Sequence, residues 1–89
     1  MDMSAKHKDF VDNAKRYLLE LVPQATEISF EELTTSLPMD NPPNAMVVTL
    51  GYKDSGTVQG VQGLFSKKVK SIYMNPDTKE LLAVKNKLF

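Results

Sequence analysis

The chain has 89 residues, 42% of them hydrophobic and 25% charged, with no cysteine and a formal net charge of zero. This is the composition of one small globular domain rather than a disordered chain. It excludes disulfide staples and thiolate metal sites, argues against a nucleic-acid binder built on bulk charge, and leaves little room for a small-molecule cavity of ~300–1,000 Å³.

The opening stretch, Met1 to Asp9, is polar, and no apolar run in the chain exceeds four residues. Neither a secretory leader nor a membrane span is expected on that reading, and the default expectation is a cytoplasmic protein with no membrane partner. Residues 1–3 are expected to fray. The zero net charge hides an asymmetry: residues 1–44 carry eight acidic and four basic side chains, whereas 45–89 carry seven lysines against Asp54, Asp77 and Glu80. The simplest consequence is mutual attraction of the two halves within the fold.

Ser4 can cap a helix running to about Val22. Phe10, Ala14, Tyr17, Leu18, Leu21 and Val22 fall on one face of a 3.6-residue period, and Asp9, Asp12, Asn13, Lys15, Arg16 and Glu20 on the other. Pro23 lacks an amide proton and restricts Val22, which ends the helix. Thr26 to Thr34 reads as a half-buried strand with Ile28 and Phe30 on one side and Glu27, Ser29 and Glu31 on the other, although Glu31-Glu32-Leu33 could also open a helical turn. Three prolines between Ser36 and Asn44 make a stiff connection over 35–44.

Ala45 to Tyr52 is a strong strand with Met46, Val48, Leu50 and Tyr52 on one face. A glycine-containing loop, 54–66, follows and is expected to be flexible. Lys67 to Met74 and Leu81 to Leu88 form a hairpin around the turn chemistry of Asn75-Pro76-Asp77-Thr78-Lys79-Glu80. The fold class is therefore α+β, a single domain over 1–89 with one N-terminal helix packed on a three- to four-stranded antiparallel sheet.

No constellation of residues carries catalysis. His7 is the only histidine, so a Ser-His-Asp triad would rest on it alone and an imidazole cluster cannot form. Glu31 and Glu32 are adjacent, and on a regular strand they point to opposite faces. Asp77 and Glu80 flank a turn, and Asp9 and Asp12 sit on the polar helix face. Gly56, Gly60 and Gly63 match neither G-x-G-x-x-G nor the P-loop spacing. The expectation is a non-enzyme with no cofactor and no metal.

Two segments remain as binding candidates. Val58, Val61, Leu64 and Phe65 lie in the uncharged stretch 55–66, where they either close the core or form a sticky patch for a protein partner. Lys68 and Lys70 share a face of one strand and Lys85 and Lys87 a face of the next; with Tyr73 nearby they could make a basic platform for single-stranded nucleic acid. Edge-strand lysines more commonly serve to discourage aggregation.

The closing Ile72-Tyr73-Met74-Asn75-Pro76-Asp77-Thr78-Lys79-Glu80-Leu81-Leu82 resembles the last hairpin of PepSY-type domains, which reads apolar-x-apolar-Asp-x-x-Thr-Gly-Glu-apolar. Asn75 stands where that pattern has Asp, and Lys79 where it has Gly. The order of elements is also similar to the gas-vesicle accessory protein O family. The PepSY resemblance implies a non-enzymatic binding or inhibitory module and carries no site residues over. The functional expectation is a protein–protein interaction or accessory module, with an unidentified protein or a second copy of the chain as partner. Single-stranded nucleic acid is the alternative.

Overall fold

A computed structural model describes residues 5–54 and 67–87 of the chain. Helix α1 (Ala5–Leu21) precedes four strands, β1 (Ala25–Thr35), β2 (Met46–Asp54), β3 (Lys67–Met74) and β4 (Leu81–Asn86). The strands pair antiparallel in chain order, β1-β2-β3-β4, so β1 and β4 are the two edges. The expected fold class is the one found.

The helical stripe builds the core. Phe10, Ala14 and Leu18, four residues apart, are fully buried, with Val11 beside them. They pack against Val48, Leu50 and Tyr52 of β2 and Ile72 and Met74 of β3. Burying a side chain the size of Phe10 or Leu18 contributes roughly 1.5–3 kcal/mol. The α1 axis lies over β1, β2 and β3.

Leu21, expected in the core with Leu18, is 53% exposed. On the helical wheel it stands only about 20° from Phe10. Its exposure therefore comes from its position along the axis, as the last helical residue, and not from its angle. Val22 donates its amide to the Leu18 carbonyl at 2.7 Å before Pro23 ends the series. The Ser4 cap lies outside the described residues.

β1 departs from simple alternation. Its register against β2 slips by one residue between Thr26 and Ser29 and again between Phe30 and Glu32, marking two β-bulges. Glu27 sits at the first with φ of 51°. The second bulge corrects the expectation for Glu31 and Glu32. Ser29, opposite Gly51, donates to Glu31 at 2.6 Å, while Glu32 lies opposite Thr49. Both carboxylates consequently line one recess, because an inserted residue cancels the period of two. Phe30, given a core face by alternation, is 40% exposed.

The connection between β1 and β2 starts one residue later than expected, since Thr35 still pairs with Met46. It is held by Ser36, whose hydroxyl donates to the Pro42 carbonyl at 2.9 Å and accepts the Ala45 amide at 2.7 Å. Asp40 accepts the Leu37 amide. Pro42 follows a cis peptide bond. Asp54, expected in the following loop, is the last residue of β2.

Candidate interaction edge

The strand register assigns every sheet residue to a side. Met46, Val48, Leu50 and Tyr52 lie across from Met74, Ile72, Lys70 and Lys68, all on the helix side. Val47, Thr49 and Gly51 lie across from Tyr73, Ser71 and Val69, all on the side away from it. Lys68 and Lys70 thus stand on one side of the sheet, and Tyr73 and Lys85 on the other. The cause is spacing: Tyr73 lies three positions after Lys70, an odd offset in a period of two. The five residues grouped by sequence as a basic platform do not form one surface.

The side away from the helix holds two adjoining shallow recesses of about 330 and 310 Å³. Its floor is buried although α1 lies on the other side of the sheet: Val47, Thr49, Val69 and Ser71 are all under 9% exposed. Two long side chains lie across it. Lys87 reaches Glu32 at 3.0 Å, spanning from the β4 side to β1, three strand spacings or ~14 Å apart. Lys85 passes 4.9 Å from the centre of the Tyr73 ring and donates to the Asn41 carbonyl at 2.6 Å.

Several of the recess polar groups are already engaged. Thr49 and Ser71 share a buried hydroxyl–hydroxyl bond of 3.0 Å, Ser36 and Asp40 serve the loop, and Lys85 and Lys87 span the face. Such a self-satisfied surface offers a ligand few unmet hydrogen bonds. Among the described residues no group of three or more His, Asp or Glu side chains could hold a metal ion, and no helix is long and apolar enough to cross a membrane.

The edges differ in a way the sequence did not announce. β1 is interrupted by its two bulges and carries Glu27, Glu31 and Glu32, devices that blunt an edge against further pairing. β4 is bulged only near its start, between the Met74 and Tyr73 pairings. From Ala83 onward it pairs with β3 in unbroken register, extended by the Lys87 amide donating to the Val69 carbonyl at 2.9 Å. That bond fixes the direction of every backbone group. Ala83, Lys85 and Lys87 face β3, so Val84 and Asn86 direct their N–H and C=O groups outward.

Among the described residues no strand pairs with that outer side. The lysines expected to guard it are turned across the sheet instead. Leu81 and Leu82, at the start of β4, are 39% and 47% exposed. The order of elements thus leaves an unpaired, partly apolar strand edge beyond the area that α1 covers. The signal available in the sequence was the run Leu81-Leu82-Ala83-Val84 at the final strand, which reads as core until its position as an edge is known.

The hairpin turn is tied to the helix. Tyr17 donates its hydroxyl to the Lys79 carbonyl at 3.0 Å, and the Lys79 ammonium lies 5.3 Å from the centre of the Phe10 ring. Asn75, rather than Asp77, organises the turn: its side-chain oxygen accepts the amides of Asp77 and Thr78 at 2.7 and 3.1 Å. His7 is exposed near the start of α1. Val58, Val61, Leu64 and Phe65, the sequence candidates for a protein interface, lie outside the described residues.

No protein-family model, curated protein or solved structure matches this chain.

Proposed function

We propose that the chain is a non-catalytic protein-interaction module that takes an extended segment of another protein alongside β4. The observation that carries this reading is the contrast between the two edges: β1 is bulged and acidic, while β4 presents outward Val84 and Asn86 backbone groups next to exposed leucines. Adding a strand to such an edge satisfies main-chain hydrogen bonds that water otherwise meets. The partner gains a template whose far side is already fixed by β3.

The test is site-specific photocrosslinking in native cell extract. A benzophenone side chain at position 82 is expected to give a discrete protein adduct, and one at Glu20 on the exposed helix face is expected to give none. Asn86→Pro removes an outward donor without removing a bond to β3, and it should abolish the adduct. Equal labelling at both positions, or adducts with nucleic acid in place of protein, would overturn the reading.

A further inference from the structure

Taking the β4 edge as the docking site, we infer that the segment it accepts is an alternating one, apolar on the side of the sheet that carries α1 and acidic on the other. Side chains of an added strand continue the two faces of β4. On the helix side they meet Val84, half-buried and packed against the core cluster, and the exposed leucines beyond the cover of α1. On the opposite side they meet Ala83 and Lys85, which lie across from Tyr73 and Ser71.

Lys85 sets the charge preference. Its ammonium is held by the Asn41 carbonyl and the Tyr73 ring, neither of which carries a charge. Lys70, hydrogen-bonded to the Asn86 side-chain amide, is likewise without a carboxylate among the described residues. Lys87 is already neutralised by Glu32. Among the described residues Lys85 therefore leaves unbalanced positive charge on the side away from α1, whereas the helix side is apolar at Val84 and turns basic only where Lys70 meets Asn86. A glutamate or aspartate in the added strand falls within a Debye length, ~8–10 Å, of Lys85. A second copy of β1 offers acidic residues too, but its bulges prevent the continuous pairing that this edge offers.

Three synthetic eight-residue peptides decide the matter: alternating Val-Glu, alternating Val-Lys, and Val-Glu with every amide N-methylated, so that neither edge of the strand can donate. Each is titrated into isotope-labelled protein while the Val84 and Asn86 amides are followed by hydrogen exchange. The Val-Glu peptide is expected to protect both amides at concentrations at least tenfold below those needed by Val-Lys. Raising the salt should narrow that gap, Lys85→Gln should close most of it, and Lys85→Arg should retain it. The N-methylated peptide should not bind.

Equal protection by Val-Glu and Val-Lys overturns the charge inference and leaves the interaction edge standing. Protection by neither overturns the edge itself. Binding of the N-methylated peptide shows that contact does not proceed through the backbone and overturns both.

Discussion

Lys79 occupies a backbone conformation that its side chain does not favour, with φ of 65°. A non-glycine residue in the left-handed region gives up ~1 kcal/mol. Here the cost is offset by what that geometry permits: the ammonium over Phe10 and the carbonyl under the Tyr17 hydroxyl. Lys79→Ala keeps the strained backbone and loses the cation–π contact, so it should destabilise the domain by ~0.5–1 kcal/mol. Lys79→Gly loses the same contact but relieves the backbone, and should melt above Lys79→Ala by several degrees in thermal unfolding. An alanine variant as stable as wild type would remove the cation–π contact from the account. Leu18 gives a plainer case. It is fully buried, and Leu18→Ala should cost ~2–5 kcal/mol, whereas Leu21→Ala, at an exposed helix end, should cost under ~1 kcal/mol. Chemical denaturation of the two variants side by side measures the difference.

Among the elements, the helix was the most legible in the sequence, because its apolar spacing and Pro23 report the same boundaries from independent physics. β2 and β3 were legible for a related reason: each keeps a strict period of two. β1 was only partly so. Its two bulges are a property of how it pairs with β2, and no local pattern in Thr26 to Thr34 encodes the inserted residues. The basic residues were misgrouped because Lys68 and Lys70 of β3 fall on the helix side of the sheet, while Tyr73, Lys85 and Lys87 fall on the other. Thr49 and Ser71 escaped notice as small polar residues inside strands, yet they are 3% and 8% exposed and bonded to each other. Thr49→Val alone strands the Ser71 hydroxyl and should cost ~1–3 kcal/mol. Combining it with Ser71→Ala should recover much of that loss, and a double-mutant cycle by denaturant titration reads the coupling. Strict additivity would mean the two hydroxyls do not depend on one another.

At the scale of the molecule, the acidic and basic halves are joined at few points by the ion pairs of the described residues. Glu27 with Lys53 and Glu32 with Lys87 are the described ion pairs that join them, both with solvent-exposed side chains. Exposed pairs of this kind contribute at most ~1 kcal/mol each, so 1 M salt should lower the melting temperature only slightly through them. The cohesion of the fold lies in the layer that α1 makes with β1, β2 and β3; β4 adds Val84 at its margin and is otherwise secured by β3, by the two lysine struts and by the turn at Lys79. That hierarchy sets a kinetic order. The amides of Ala83, Lys85 and Lys87, which bond to β3, should exchange through a partial opening well before those of Val48 and Leu50, which wait for global unfolding. When β4 lifts away, the edge of β3 is bared, and an incoming segment then competes for the place β4 has left. For a segment of the kind proposed above, strand displacement would be a second route to association, in which the opening rate of β4, and not the partner's concentration, limits the speed once the partner is in excess.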